Sequence, residues 1–381
     1  MNKITRIVRR FAPRYLERYA DRMLPGHRRA LADLTACRTA SMGAHVYNCD
    51  RCRQVHYVYH SCRNRVCPAC QKASTRHWIA ARKAELPKVD YFHLVFTVPS
   101  ELRRFIRSHQ RLLINILFKA ASRSLMLLTR DPKYIGAKIG IVAVLHTWSR
   151  AMVYHPHIHC IVSGGGYDPI TGRWRRCHPH YLVPVKALSA LFRGKFMAYA
   201  KKAMPDVKFP DCVWDKPWVI HSKPAFFGTS KLLEYLGRYV RRVAITEKRI
   251  IEDDNNTVTF MYFDDRKKQK RKMPLDGIEF LRRYLQHVLP KGFHKVRYYG
   301  LFAPSNRCLL NDLKSSLEET SSTAPQPVCE KTEEIARRTS TPFSCPYCKK
   351  GTLFLVAVCF RQYRAPPRCK HVFNADMSLA A

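Results

Sequence analysis

The nine residues His155–Ser163, HPHIHCIVS, decide the fold, because they combine a buried-strand pattern with closely spaced histidines. In a β-strand, residues two apart point to the same face, so His157 and His159 share one face while Ile158 packs into the core. Their Cβ atoms are then about 6.6 Å apart, a separation at which two imidazoles can bind one metal ion. The alternative is a pair of buried histidines with hydrogen-bond partners.

Strands and long helices alternate on both sides of this stretch. Dense β-branched and aromatic residues predict strands at 91–98 and 138–146, and the three glycines 164–166 are expected to end the histidine strand. Helical periodicity is clear at 185–203, and a β-ribbon is expected around 257–273. This alternation predicts an α+β fold with a mainly antiparallel sheet.

A second motif lies in the predicted helix Ser230–Val243, SKLLEYLGRYVRRV, whose leucines and valines form an apolar stripe. Tyr235 and Tyr239 are four residues apart and lie together on an adjoining face, next to Arg238 and Arg242. The structural interpretation is that two tyrosines flank a core stripe. The functional interpretation is that both phenols are nucleophiles beside cations that bind phosphate.

Together the two motifs predict a reaction. A divalent metal ion on His157 and His159 would polarise a scissile phosphate, and a tyrosine oxygen would attack it in line. The products would be a 5′-phosphotyrosine link and a free 3′-OH. A second tyrosine would allow a second cleavage while the first tyrosine is still occupied.

The chain has 15 cysteines, and their clustering favours zinc over disulfides in a reducing compartment. Two Cys-x2-Cys pairs separated by fourteen residues have the spacing of one four-cysteine structural site, and its predicted ligands are Cys49, Cys52, Cys67 and Cys70. Two interpretations are open for Cys37, His45 and Cys62: they bind a second zinc ion, or their side chains bind no metal. Near the end of the chain, a further zinc ion could be bound by Cys345, Cys348, Cys359, Cys369 and His371.

Charge identifies the partner class. The formal net charge is +40, which destabilises a compact chain by self-repulsion unless a polyanion neutralises it. Nucleic acid is the expected polyanion, since no stretch approaches the ~20 apolar residues of a membrane span. The first residues do not resemble a signal peptide, so we expect a cytoplasmic protein. The run 266–272, RKKQKRK, is expected at a turn tip that binds the DNA backbone, and residues 51–84 contain no acidic side chain. The residues expected to contact DNA are Arg63, Arg65, Arg238, Arg242, Arg266, Lys267 and Lys268.

Composition divides the chain into four expected parts. Residues 1–86 form a helical and zinc-binding DNA-binding domain, and residues 87–310 form the catalytic domain. A linker rich in Ser, Thr, Glu and Pro spans 311–341 and is expected to be disordered. Residues 342–381 form a small tail with a candidate zinc knuckle.

These motifs resemble those of the HUH-type, two-tyrosine rolling-circle transposases of bacterial insertion sequences, over most of the chain to about residue 305. The stretch 37–71 is similar to the family's zinc-binding domain, although Val66 stands where many relatives are expected to have His. The family's metal motif is resembled by LHTW at 145–148 together with HPHIHC at 155–160. Its tyrosine motif is resembled by YLGRY at 235–239, and a further family motif by VRYYG at 296–300.

The resemblance implies an HUH-endonuclease-like sheet with His157 and His159 on a central strand, and transposition of one strand as single-stranded DNA with Mg²⁺ or Mn²⁺. It also implies a third metal ligand, for which His155, His146 and Glu234 are the candidates. The implied partners are single-stranded DNA at transposon ends, target DNA and host replication proteins. Two alternatives stay open: an HUH relaxase or plasmid replication initiator, and a zinc-finger DNA-binding protein without catalysis.

Overall fold

The computed structural model describes residues 2–71, 79–81, 85–225, 244–264, 267–319, 343–361 and 369–371. Its helices are α1 (Lys3–Tyr19), α2 (Pro25–Ala36), α3 (Arg103–Ser108), α4 (Gln110–Arg130), α5 (Val185–Ala203), α6 (Gly277–Leu285) and α7 (Arg307–Glu319). Its strands are β1 (Gly43–Cys49), β2 (Val55–Tyr59), β3 (Tyr91–Thr97), β4 (Lys138–Trp148), β5 (Tyr154–Tyr167), β6 (Trp174–Arg176), β7 (Ile220–Ala225), β8 (Ile250–Asp253), β9 (Thr257–Asp264), β10 (Gln269–Asp276), β11 (Val296–Gly300), β12 (Phe343–Ser344), β13 (Thr352–Phe360) and β14 (Cys369–His371).

The described strands form three sheets in which neighbouring strands are antiparallel. The central sheet has the order β11-β4-β5-β3-β7, with β6 paired to β5. A second sheet, β10-β9-β8, packs with α1 and α6, and a third, β12-β13-β1-β2, carries β14 on β13. The protein is therefore α+β with mainly antiparallel sheets, as the alternating sequence pattern predicts.

The alternation of side chains along β5 separates the two faces of the central sheet. Ile158, Cys160 and Val162 point into a large core formed with α4 and α5, which contribute residues such as Leu117 and Phe192. Because side chains alternate, the intervening histidines must point to the opposite face. Burial of one face thus fixes which residues are available for chemistry.

Among the described residues, only α4 has the length and apolar composition of a membrane span. This is weak evidence for a membrane, because 61% of its most apolar window is buried inside the protein.

The prediction that three glycines end the histidine strand is wrong, since β5 continues through Gly164–Gly166 to Tyr167. The physical reason is close packing between strands. A Cβ atom on Gly166 would stand 2.5 Å from the carbonyl oxygen of Lys138 on β4, so a side chain cannot be accommodated there. Glycine permits the close approach here and does not act as a breaker.

The predicted linker begins too early and the predicted tail is not separate. Helix α7 continues to Glu319, and within it Leu313 is buried against Leu301 and Phe302. Strand β13 lies in the predicted tail and pairs with β1, which belongs to the N-terminal zinc-binding module (residues 1–86). Apolar side chains in an otherwise polar stretch explain the first error, and a pairing partner about 300 residues away in sequence explains the second.

Candidate functional site

Three histidines come together on the polar face of the central sheet. His157 on β5 lies directly opposite His146 on β4, and His159 follows two residues further along β5. The metal-binding atoms of the three side chains all lie within 4.8 Å of one another. Their ring centroids are separated by 5.4 Å (His146–His157), 4.5 Å (His146–His159) and 4.9 Å (His157–His159).

Burial and hydrogen bonding prepare His157 as a ligand. Burial lowers the pKa of His157 to about 4, so its imidazole is neutral at pH 7. Its Nδ1 lies 2.7 Å from the carbonyl oxygen of His155, an acceptor that requires the proton to be on Nδ1. This tautomer leaves the lone pair of Nε2 for a metal ion.

His93 on β3 performs the same task for His159. His93 Nε2 lies 2.9 Å from His159 Nδ1, and the two rings lie edge to edge and nearly parallel, with an interplanar angle of 6° and centroids 5.1 Å apart. Burial lowers the pKa of His93 to about 4, so His93 is neutral and its Nε2 can accept the His159 Nδ1 proton. The Nε2 atom of His159 is then the nitrogen available to bind a metal ion together with His146 and His157.

The donor set fits a divalent cation. Three imidazoles are available, and those of His146 and His159 are only 3% and 7% exposed. Nitrogen donors suit transition metals such as Mn²⁺ better than Mg²⁺, which prefers oxygen ligands. Of the candidates for a third ligand, His146 belongs to the group, His155 contributes its carbonyl to position His157, and Glu234 lies outside the described residues.

The histidines open into a cavity of about 670 Å³. Lys248 and Lys270 are exposed on its wall, where they can attract a polyanion. Aromatic rings are also present, and Trp148 stacks on His146 with ring centroids 4.5 Å apart. The remaining lining residues are Ser149, Arg150, Arg249, Ile251, Met261, Tyr262 and Phe263. Such a mixture of cations and aromatic rings suits an unpaired nucleic-acid strand.

The predicted nucleophiles Tyr235 and Tyr239, together with Arg238 and Arg242, lie outside the described residues, as does Arg266. The segment that contains the tyrosines, 226–243, follows β7 at the edge of the central sheet. Their role therefore stays a prediction.

Eight of the described cysteines form two groups of four. The inner cysteine group consists of Cys37, Cys62, Cys67 and Cys70, and the terminal cysteine group consists of Cys49, Cys52, Cys345 and Cys348. The predicted single site of Cys49, Cys52, Cys67 and Cys70 is thus wrong, because the two knuckles have different partners. In sequence they look like two halves of one site, but the pairing of β1 with β13 places the first knuckle beside the C-terminal one.

Two other predicted zinc ligands have different partners. His45 does not join the inner cysteine group, because its Nδ1 lies 3.1 Å from His60 Nε2. Cys359 is disulfide-bonded and offers no thiolate, and its position on β13 is opposite Cys369 on β14. The predicted set of Cys345 and Cys348 with Cys359, Cys369 and His371 is therefore wrong.

The described basic residues of the predicted DNA surface divide into two kinds. Arg63 is exposed beside the inner cysteine group, and Lys267 and Lys268 are exposed at the tip of the β9–β10 hairpin, as the basic run predicts. Arg65 instead donates to the carbonyl oxygens of Pro290, at 2.9 Å, and Phe293. Its guanidinium therefore joins the zinc-binding module to the catalytic domain.

Sequence reasoning missed His93 and the cavity lysine Lys248, whereas Lys270 belongs to the basic run 266–272 that the sequence predicts to bind DNA. A signal for His93 was present, since it is the one basic residue in the strand YFHLVFT. Lys248 had no local signal, because its position at the cavity follows from the packing of the β8–β10 sheet beside the central sheet.

Comparison with known proteins agrees with this arrangement. The model of a family described as "Putative transposase" matches residues 140–308, and that of the "Transposase zinc-binding domain" matches residues 7–98. No solved structure matched the chain. The "Putative transposase y4qJ" of Sinorhizobium fredii is 35% identical over 392 residues, covering 96% of this chain and 98% of the relative. The "Transposase for insertion sequence element IS801" of Pseudomonas savastanoi pv. phaseolicola is 28% identical, covering 85% of this chain and 82% of the relative.

The two family matches contain different candidate metal sites. The inner cysteine group lies within the zinc-binding match, residues 7–98, and the three histidines lie within the transposase match, residues 140–308. The relatives extend over most of the chain. The chain belongs to the IS91-type family of bacterial insertion-sequence transposases, with an N-terminal transposase zinc-binding domain.

Proposed function

We propose that this transposase nicks and rejoins single-stranded DNA at insertion-sequence ends through a tyrosine nucleophile and a 5′-phosphotyrosine intermediate. The observation that carries the proposal is the group of His146, His157 and His159, which opens into a cavity lined by cations and aromatic rings. Membership of a transposase family supplies the DNA substrate. The HUH-type fold is part of the proposal, supported by the position of both β5 histidines on the middle strand of the central sheet.

The chemistry follows from the side chains. When bound by the three histidines, a divalent cation such as Mn²⁺ or Mg²⁺ would neutralise the negative charge that develops on the scissile phosphate. The phenol oxygen of Tyr235 or Tyr239 attacks phosphorus, forms the 5′-phosphotyrosine bond and releases the 3′-OH strand. Attack by a 3′-OH on that bond frees the tyrosine and rejoins DNA, so no oxidant or energy source is consumed.

A second cavity extends the proposed DNA path towards the zinc-binding module. It has a volume of about 660 Å³ and is lined by Arg29, Arg63, Lys291 and Lys295. Trp148 lines both this cavity and the one at the histidines. A strand held by phosphate contacts in the second cavity could stack a base on Trp148 before it reaches the histidines.

The proposal is tested by covalent capture. Purified protein with Mn²⁺ is expected to form an adduct with single-stranded DNA that carries the element's end, detected as a protein band of increased mass in denaturing gels. The double variant Tyr235→Phe and Tyr239→Phe is expected to form none. Tyr181→Phe, which alters an exposed tyrosine away from the cavity, is the matched control. Adducts that persist in the double variant would refute the nucleophile assignment.

The histidines are tested separately from DNA binding. The double variant His157→Ala and His159→Ala is expected to lose cleavage while keeping most of its affinity for DNA, because the basic surfaces remain. Cleavage at the wild-type rate in this variant would refute the role of the three histidines. In a bacterium the enzyme is expected to act in the cytoplasm on element ends and target DNA, with host replication proteins as further proposed partners.

A further inference from the structure

We propose that the terminal cysteine group binds one structural zinc ion, which joins the C-terminal segment to the N-terminal zinc-binding module. Two ligands, Cys49 and Cys52, come from the beginning of the chain, and two, Cys345 and Cys348, from a segment near its end. The inference concerns a metal site outside the catalytic histidines, and it does not depend on the DNA chemistry proposed above.

The sulfur positions fit a tetrahedral zinc site. Cys49 Sγ lies 3.7 Å from Cys348 Sγ, and Cys52 Sγ lies 3.6 Å from Cys345 Sγ. Four sulfurs at the usual Zn–S distance of about 2.3 Å are separated by about 3.8 Å in a regular tetrahedron. A disulfide would require about 2.05 Å, so the spacing excludes one between these partners.

The two knuckles have the same backbone conformation. The N–H of Arg53 donates to the carbonyl of Cys49 at 3.1 Å, and the N–H of Lys349 donates to that of Cys345 at 2.9 Å. Both donors follow the second cysteine of their pair, and both have positive φ, 58° for Arg53 and 55° for Lys349. Left-handed residues are uncommon outside glycine, so their matched use indicates that each turn is constrained to aim two sulfurs at one point.

Backbone contacts hold the two knuckles together. The N–H of Asp50 donates to the carbonyl of Thr352 at 3.1 Å, and the N–H of Thr352 donates to Asp50 Oδ1 at 2.8 Å. Gly351 packs so closely that a Cβ atom there would stand 2.4 Å from Cys49 Sγ. Its N–H lies 3.2 Å from Cys348 Sγ, a contact that stabilises a thiolate.

The composition of the site has a consequence for the zinc-binding module. Structural zinc requires four ligands, and the described part of residues 1–98 provides two of the group's four cysteines, Cys49 and Cys52, while His56 Nε2 lies 3.5 Å from Cys345 Sγ at its edge. The C-terminal segment is therefore a structural part of the module, although the catalytic domain lies between the two in sequence.

Zinc stoichiometry tests the inference on the full-length protein. The double variant Cys345→Ser and Cys348→Ser is expected to contain one zinc ion fewer per chain than the wild type, measured by inductively coupled plasma mass spectrometry. Cys212→Ser with Cys308→Ser removes two exposed free thiols and is expected to lose none. An unchanged zinc content in a folded Cys345/Cys348 variant would overturn the proposal.

A second measurement does not require the cysteine variant to fold. A protease site introduced within 320–342 of the otherwise wild-type chain allows the C-terminal segment to be cut off after folding. The cut segment is expected to co-elute with the rest of the protein and to separate after a chelator removes zinc. Separation without chelator, or retention after the zinc of both cysteine groups has been removed, would overturn the proposal. Neither experiment measures DNA cleavage, so its outcome is independent of the proposed function.

Discussion

At the scale of single residues, the site depends on side chains that do not themselves reach a metal ion. His93 is the clearest case, because its Nε2 lies 2.9 Å from the Nδ1 of His159 and orients that ring. In metal sites generally, the hydrogen-bond partner of a ligating histidine fixes the orientation and the tautomer of its ring. Loss of that partner lowers metal affinity by about 10–100-fold. His93 is thus a positioning residue.

We therefore expect His93→Leu to weaken Mn²⁺ binding about 10–100-fold. The measurement is the concentration of free Mn²⁺, followed by electron paramagnetic resonance during a titration. His93→Gln keeps an acceptor oxygen and is expected to recover part of the affinity. His180→Leu, at an exposed histidine, is the matched control. Equal Mn²⁺ affinity in the His93→Leu variant and the wild type would contradict the prediction.

His287 provides a pH test that avoids the metal ligands. Burial lowers its pKa to about 3, against an ordinary value of 6.5. Between these values the unfolded chain binds a proton that the folded chain does not, so the free energy of unfolding falls as pH falls through this range. We expect His287→Asn to reduce this dependence by up to about 1.4 kcal/mol per pH unit between roughly pH 6.5 and 5.

The pH prediction is measured by urea unfolding at several pH values, as a slope that is compared between variants. His180→Asn, at an exposed histidine, is the matched control. If His287→Asn had the same slope as the wild type, the buried neutral state assigned to His287 would be wrong.

At the scale of elements, the packing of α1 on α6 connects the N-terminal helices to the catalytic domain. Gly277, the first residue of α6, faces the ring of Phe11, and a Cβ atom there would stand 2.1 Å from the ring edge. The side chain of Asp276 caps the same turn by accepting from the N–H groups of Ile278 and Glu279. The helix start is therefore fixed from both sides, and it has no room to shift.

Gly277→Ala is expected to destabilise the protein by about 1–3 kcal/mol, the usual range for overpacking. Gly194→Ala is the matched control, because Gly194 lies inside α5 with nothing within 4 Å of an added Cβ atom. This control is expected to gain about 0.5–1 kcal/mol, since alanine favours a helix over glycine. Urea unfolding measures both, and equal stability of the two variants would show that the close contact with Phe11 is absent.

At the scale of the whole molecule, Arg63 and Arg65 separate DNA binding from domain docking. The two residues are close neighbours in the basic stretch and both line the second cavity, but Arg65 in addition donates to two backbone carbonyls. Arg65→Ala is expected to lower the thermal midpoint of unfolding, because two backbone acceptors lose their donor. Arg63→Ala is expected to leave that midpoint unchanged and to lower DNA affinity, with the salt dependence reduced by about one phosphate contact.

The two variants are compared by calorimetry and by DNA titration at several salt concentrations. A salt dependence reduced equally by both changes would contradict the separation, because it would mean that Arg65 also binds phosphate. A midpoint lowered equally by both would mean that Arg63 is needed for docking.

Local patterns predicted most of the elements near the site. The periodicity at 185–203 predicts α5 with its observed bounds, and the alternation in HPHIHCIVS predicts that His157 and His159 share a face, because both properties depend only on neighbouring residues. The choice of His146 as the third member of the group could not be made from sequence. It depends on the register between β4 and β5, in which His146 lies opposite His157.

The sequence by itself determined the fold class, the paired histidines and the presence of cysteine knuckles, since each is written in residues a few positions apart. Only the tertiary structure decided which knuckles lie together and which histidine joins the pair. Cys49 and Cys345 come from opposite ends of the chain, and no local spacing can indicate that β13 pairs with β1. Long-range strand pairing is set by the burial of whole faces and by register, and these are properties of the folded chain.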